Sequence, residues 1–188
     1  MERINDLQKE AIAMKHLKHE NIVKFLGIVA NQNSAKGVME IGLLFEYMEN
    51  GNLVDYLRAH NPEIANPLDA VLGFNELMSI SCQVGAGVAY IHGCHLVHRD
   101  LAARNCLVGR DLIVKLSDFG MTRDIYSSDY YKMSKDTLVP LRWLAPESIM
   151  YRKFTTESDI WSLGILLWEV FTFGMVPWYI FSNAEVRI

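Results

Sequence analysis

Apolar side chains at Ile4, Leu7, Ala11, Met14 and Leu17 recur at helical spacing, with Glu2, Lys9, Glu10, Lys15 and Lys18 on the positions between them. That pattern predicts an amphipathic helix that opens the chain and stops near residues 19–21. Two β-like runs follow, 22–30 and 41–48, separated by a turn-rich segment from Asn31 to Gly37, and they are predicted to pair antiparallel. Gly51 and Asn52 supply a cap for a short helix through Arg58, and the stretch from His60 to Gly73, with Pro62 and Pro67, reads as a loop. From Asn75 to His92 the period is helical again. Leu77, Ile80, Val84, Val88 and Ile91 share one side, and the small residues Gly85, Ala86 and Gly87 allow close packing. Short β-like pieces come next at 96–97, 106–108 and 112–116, the last two joined by a turn over Gly109, Arg110 and Asp111. Residues 117–145 carry no sustained period, and so long a connection in a compact domain is usually functional. A strongly apolar helix is predicted over 156–172, and Ser182 to Glu185 has the Ser-x-x-Glu form of a capping box, so another helix starts there.

A β-containing start followed by a helical remainder predicts an α+β fold with two lobes, divided as 1–48 and 49–188. An independent sheet normally needs about three strands, so further strands are expected before Met1. Only Val186, Arg187 and Ile188 follow the last capping box, so more helix is expected after them.

With 51% apolar and 21% charged residues the composition is that of a soluble globular protein, which excludes a disordered or collagen-like chain. A formal net charge of −4 leaves no dominant basic face for nucleic acid or anionic lipid. Cys82, Cys94 and Cys106 form no CxxC pair, and an odd number does not suit a disulfide framework, which points to a reducing compartment. The most apolar stretch, Ile160 to Trp178, is interrupted by Glu169 and Pro177 and reads as a buried helix rather than a membrane span. Met1 is followed by charged residues, not by the apolar core of a signal peptide.

His98-Arg99-Asp100 is followed by Asn105, and Asp118-Phe119-Gly120 comes later, beyond the predicted hairpin. This ordered set resembles the protein-kinase catalytic signature, a His-Arg-Asp loop ending in asparagine and then Asp-Phe-Gly. The chemistry accounts for those residue types. Phosphoryl transfer spreads negative charge over oxygens that Mg²⁺ neutralises, and hard Mg²⁺ takes oxygen ligands. The resemblance implies a two-lobed kinase-like fold, here a partial small β lobe with one helix and an incomplete, mainly helical large lobe, and it implies ATP and Mg²⁺ as cofactors. It makes Asp100 the acceptor of the substrate's hydroxyl proton and Asn105 and Asp118 the metal ligands, with His98, Arg99, Phe119 and Gly120 in support.

The likeness extends over essentially the whole chain. Ala145-Pro146-Glu147 looks like the family's A-P-E, and Asp159 with Trp161 and Gly164 resembles the start of its central buried helix, where the aspartate steadies the catalytic loop from below. Glu10 has the placement of the helix glutamate that pairs with the nucleotide-binding lysine. By the same resemblance Phe45 guards the back of an adenine pocket, Glu46 and Met48 offer backbone groups to adenine, and Leu107 floors it. Read alone, Asp159 is a first-turn acid matched to a helix dipole, Glu10 is a surface residue, and the adenine set is ordinary core.

Serine/threonine kinases usually carry a lysine two positions after the catalytic aspartate. Here that position is Ala102, and a cation arrives later, at Arg104. That resembles receptor tyrosine kinases, whose phenol substrate oxygen lies farther from the peptide backbone than a serine oxygen. Pro140-Leu141-Arg142-Trp143 resembles the stretch that forms the tyrosine's floor. Tyr126, Tyr130 and Tyr131 form a Y-x-x-x-Y-Y pattern like the activation loops of neurotrophin receptor (Trk-like) and insulin receptor kinases. Other stretches, among them Met48 to Leu53 and Tyr151 to Glu157, favour the Trk-like branch. As phosphorylation sites the tyrosines each gain about −1.5 to −2 charges, enough to order a loop against cations such as Arg99 and Arg123.

The family's glycine-rich phosphate loop and strand lysine do not occur, and Gly85-Ala86-Gly87 lies in a helical pattern and does not replace them. The expectation is therefore a parent receptor kinase that phosphorylates protein tyrosines, paired with a second receptor chain for trans-phosphorylation, its kinase portion on the cytosolic side of a plasma membrane. These residues alone are expected to be weakly active. The arginine that pairs with Glu147 in the family is also missing. Two other classes stand beside this one: a non-catalytic interaction or dominant-negative module derived from a kinase, and an unrelated α+β binding protein.

Overall fold

Mutual hydrogen bonding of the two β-like runs sets their observed limits. In the computed structural model, which describes residues 11–12, 14–33, 38–64, 71–124, 140–182 and 185, β1 (Phe25–Asn33) pairs antiparallel with β2 (Val38–Phe45). The register runs from Phe25↔Phe45 to Asn33↔Val38, with an irregularity between Phe25 and Gly27. Asn31, Gln32 and Asn33 were expected in a turn but extend the strand, because each faces a backbone partner in Glu40, Met39 or Val38. Cross-strand pairing outweighs their weak β propensity. The second run ends at Phe45, and residues 46–48 leave the ladder.

Of the predicted opening helix, residues 11, 12, 14 and 15 are described and helical, and Ala11, Met14 and Leu17 are buried. Asn52 caps α1 (Leu53–Ala59), its side chain accepting from the Asp55 N–H at 3.0 Å. Next comes α2 (Phe74–Gly93), where Leu77, Ile80, Val84, Val88 and Ile91 are all buried, as the helical period predicts. Of its small residues, Gly87 alone serves close packing. A Cβ there would lie 2.9 Å from the Asn21 carbonyl oxygen and 3.0 Å from Leu116 Cδ1, whereas nothing lies within 4 Å of one at Gly85, and Ala86 is exposed.

The chain then forms β3 (Leu96–Val97), β4 (Cys106–Val108), β5 (Val114–Leu116) and β6 (Arg123–Asp124). β4 and β5 make the expected hairpin, and β3 pairs with β6, a strand that falls inside the segment without period. Both edges of the hairpin are occupied. Val23 N–H donates to the Leu116 carbonyl at 2.9 Å on one side, and Val108 N–H donates to the Gly51 carbonyl at 2.8 Å on the other.

Two further helices are α3 (Pro146–Tyr151) and α4 (Thr156–Phe171), the latter capped reciprocally by Thr155 and Ser158. The interior face of α4 joins one core through Leu166 and Val170, together with Met14, Ile22, Leu53, Leu57, Leu101 and Phe119. The α+β class expected from the sequence holds. At the far end the Ser182 N–H donates to Glu185 Oε2 at 2.8 Å and the Glu185 N–H to Ser182 Oγ at 3.4 Å, the reciprocal contacts of the predicted capping box. No helix among the described residues is long and apolar enough to cross a membrane.

Candidate active site

Residues 98–105 join β3 to β4, and a single buried carboxylate fixes how they begin. Asp159, in the first turn of α4, accepts the His98 N–H at 2.7 Å and the Arg99 N–H at 2.9 Å. Its Oδ2 also accepts from His92 Nε2 of α2 at 3.1 Å. Arg99 takes a left-handed φ of 74°, which a long side chain rarely adopts. Such a backbone persists only where its surroundings over-determine it, and here the carboxylate fixes both adjacent amides. The Arg99 guanidinium stacks over the Phe154 ring, 4.3 Å from its centroid.

His98 is fully buried and bridges two segments. Its Nδ1 accepts the Asp100 N–H at 3.3 Å, so Nε2 carries the proton and donates to the Ser117 carbonyl at 3.2 Å. Burial pushes the imidazole below its ordinary range, against the opposing pull of Asp159, Asp100, the Ser117 carbonyl and Asp118. His98 is therefore a neutral spacer. Asp100 and Asp118 are both near enough for their charges to oppose that shift.

The structure brings Asp100, Arg104 and Asn105 together. One Asp100 oxygen accepts from the Arg104 guanidinium. The other accepts from Asn105 Nδ2 at 2.8 Å, and the same amide nitrogen donates to the Asp100 carbonyl at 2.7 Å. Two acceptors require that Asn105 present its NH₂ group there, which turns its Oδ1 away from Asp100. The Asn105 carbonyl in turn accepts from the Ser117 N–H at 2.8 Å and the Ser117 hydroxyl at 2.9 Å, tying the loop's end to the residue before Asp118. Asp118 is exposed, at a left-handed φ of 58°, and accepts from the Gly120 N–H at 3.4 Å. Phe119 turns inward, 1% exposed, against His98 at 5.0 Å between ring centroids.

Among the described residues no three or more His, Cys, Asp or Glu side chains gather into a metal cage. The donors present suit a hard cation of another kind. Mg²⁺ typically keeps waters and takes one or two protein oxygens plus phosphate, and Asn105 Oδ1 and the exposed Asp118 carboxylate are oxygens of the type that could serve it.

Of the residues assigned to adenine, Phe45 is partly buried and meets Phe25 edge-on at 5.7 Å, Leu107 packs on the core, and Met48 is buried. The Glu46 N–H is spent on the Lys24 carbonyl at 3.0 Å and the Met48 carbonyl on the Gly51 N–H at 3.3 Å. What remains is the Glu46 carbonyl and the Met48 N–H, one acceptor and one donor.

Three residues at the site escaped sequence reasoning. Lys115 of β5 pairs with Glu46, Nζ to Oε1 at 2.7 Å. Burial raises the Glu46 carboxyl, but hydrogen bonds from Lys115 and the Lys24 N–H, with the charges of both lysines, carry it below its usual range. His92 was read only as part of a helix. Glu169 was read as a break in an apolar stretch, yet it is 2% exposed and its Oε2 accepts both the Ala103 N–H at 2.9 Å and the Trp143 indole N–H at 2.8 Å. An acid within a buried helix was the signal that could have found it.

Glu147 is half-buried in the first turn of α3. Glu10, Tyr126, Tyr130 and Tyr131 lie outside the described residues. A groove of about 390 Å³ lined by Leu141, Leu144, Pro146, Ile149, Trp161 and Trp178, among others, contains none of the assigned catalytic, nucleotide or metal residues.

A family model described as protein tyrosine and serine/threonine kinase matches residues 1–187. Among curated proteins, the NT-3 growth factor receptor of Macaca fascicularis is 48% identical over 188 positions, covering 96% of this chain and 22% of its own length. The BDNF/NT-3 growth factors receptor of Gallus gallus is 49% identical over 185 positions, with the same coverage. The high affinity nerve growth factor receptor of Gallus gallus is 49% identical over 187 positions, covering 96% of this chain and 23% of its own length. The chain thus spans under a quarter of the length of these relatives.

Proposed function

Because the chain belongs to the protein tyrosine and serine/threonine kinase family, we propose that it is the catalytic portion of a receptor protein-tyrosine kinase that moves the γ-phosphoryl group of ATP to the hydroxyl of a protein tyrosine. The observation that carries this reading is the Asp100 carboxylate, gripped by Arg104 on one oxygen and by the Asn105 amide on the other, in a loop anchored by Asp159. Each carboxylate oxygen has a further lone pair, so Asp100 accepts the phenol's proton while its donors hold its orientation. Arg104 lies over the Trp143 ring, 4.5 Å from its centroid, and supplies the cation that suits a distant phenol oxygen.

Asn105 Oδ1 and the Asp118 carboxylate hold Mg²⁺ in this reading. Bound Mg²⁺·ATP supplies the phosphoryl group and neutralises charge that develops on it. The Glu46 carbonyl and Met48 N–H serve adenine between Phe45 and Leu107 in this reading, and the resemblance assigns Glu10 the pairing with the family's nucleotide lysine. The same proposal includes the two-lobe division at 1–48 and 49–188 and a plasma-membrane receptor with this portion in the cytosol. A second receptor chain modifies Tyr126, Tyr130 and Tyr131 in trans.

The test uses the full-length natural protein that carries this chain, assayed for γ-phosphate transfer to matched tyrosine and serine peptides. Transfer to tyrosine is expected, falling roughly 10²–10⁴-fold in Asp100→Asn. Transfer unaffected by that change, or preferring serine, refutes the reading. The 188 residues contain neither a glycine-rich phosphate loop nor the V-A-I-K lysine, so the chain alone is expected to transfer little. That feature favours a second reading, a non-catalytic module that presents its tyrosines to another kinase. Co-expression with an active receptor kinase separates the two, since modified Tyr130 and Tyr131 in a protein that transfers nothing would mark the module.

A further inference from the structure

Ala103 lies in the loop that carries Asp100, and Trp143 lies in the stretch assigned to the tyrosine's floor, so a group bound to both fixes their spacing. Glu169 is that group, since one of its oxygens accepts the Ala103 N–H at 2.9 Å and the Trp143 indole N–H at 2.8 Å. A second connection closes the circuit. Arg104, the neighbour of Ala103, stacks on the face of the same indole and reaches the Asp100 carboxylate. Ser162, seven residues before Glu169 on α4, donates its hydroxyl to the Trp143 carbonyl at 2.8 Å. The tryptophan is thus held at backbone, ring face and ring edge.

Resting on the tyrosine-transfer reading, we propose that Glu169 is a positioning residue for the phenol substrate: it sets the floor at Trp143 against the loop at Ala103, so that an incoming tyrosine meets Asp100 at a fixed distance. Packing alone explains the arrangement poorly. Burial pushes the Glu169 carboxyl upward despite the hydrogen bonds from Trp143 and Ala103 and the charges of Arg104 and Arg58. An apolar residue of similar size would avoid that cost. The acid's contribution is an acceptor placed between two segments 40 residues apart in the chain, Ala103 and Trp143.

The experiment measures KM for a tyrosine peptide and for ATP separately in the full-length natural protein, with Glu169→Leu, Glu169→Gln and Trp143→Phe. Leucine removes the acceptor and leaves both N–H groups buried without one, so peptide KM is expected to rise about tenfold or more while ATP KM stays within about twofold. Glutamine keeps an amide oxygen that accepts both donors, and it restores peptide KM to within about threefold of wild type. Trp143→Phe removes the indole N–H while leaving a ring beneath Arg104, reproduces the selective peptide effect, and adds little on top of Glu169→Leu. If Glu169→Leu fails to fold, Trp143→Phe alone decides. Peptide and ATP KM moving together, no change in either, or a glutamine variant no better than leucine overturns the inference. Wild-type protein that transfers nothing to tyrosine defeats the underlying kinase reading instead, and this inference falls with it.

Discussion

Replacing Asp159 by Asn removes a charge but almost no volume, so its consequence is read from hydrogen bonds alone. The carboxylate offers Oδ2 to the His98 N–H at 2.7 Å and Oδ1 to the Arg99 N–H at 2.9 Å. An asparagine has one acceptor oxygen, so one of those amides must face an NH₂ group. A lost charge-assisted bond is worth about 1.5–3 kcal/mol, and a buried N–H left without an acceptor costs about 1–3 kcal/mol. The sum is limited because the variant no longer buries a charge, which leaves an expected loss of about 2–5 kcal/mol from the two hydrogen-bond effects together. Domains are stable by only about 5–15 kcal/mol, so the change approaches the whole margin. Urea unfolding gives the loss as a shifted midpoint at constant slope, and hydrogen exchange localises it, with the His98 and Arg99 amides losing protection ahead of the α2 core. A loss below about 1 kcal/mol, with those two amides no faster than in the wild type, would refute the argument that Asp159 holds the loop.

Further outcomes follow from the same geometry. Gly87→Ala should destabilise by about 1–3 kcal/mol, since its methyl would meet the Asn21 carbonyl and Leu116, while Gly85→Ala should stabilise by about 0.5–1 kcal/mol through helix propensity; parallel thermal melts compare them. His98 has its folded pKa depressed by burial, so its contribution is present above the ordinary value of about 6.5 and is lost as pH falls toward the folded value. Stability of the wild type minus that of His98→Gln should therefore decline on acidification below about pH 6.5, and a flat difference between about pH 7.5 and 5 would contradict it. Cys82 and Cys94 are exposed whereas Cys106 is buried with its thiol pushed well up, so a thiol reagent should titrate two cysteines in the native chain and the third only in denaturant.

What could be read without coordinates was whatever the chain keeps local. The period of α2 and the cap at Asn52 were legible because each is set within a few residues, and Asp100, Arg104 and Asn105 could be grouped because they share one short loop. Long-range pairing was not legible. Asn31 to Asn33 look like turn residues until β2 lies beside them, and nothing in Val97 or Arg123 announces that they face each other across β3 and β6. Glu169 acquires its meaning only from Ala103 and Trp143, 66 and 26 positions away. The spacing of catalytic motifs recovers a loop, but the acids that hold it there are recognisable only after the helices are packed.

The hairpin of β4 and β5 stands between Asn105 and Asp118, and neither of its edges is open. It therefore acts as a gauge block. Sliding either strand by a single residue would turn its buried pair, Cys106 and Val108 or Val114 and Leu116, out of the core and break the ladder on its outer flank. The gap between the asparagine and the aspartate is consequently machined into the fold, tolerant of substitutions that keep the alternation and intolerant of any insertion or deletion within the hairpin.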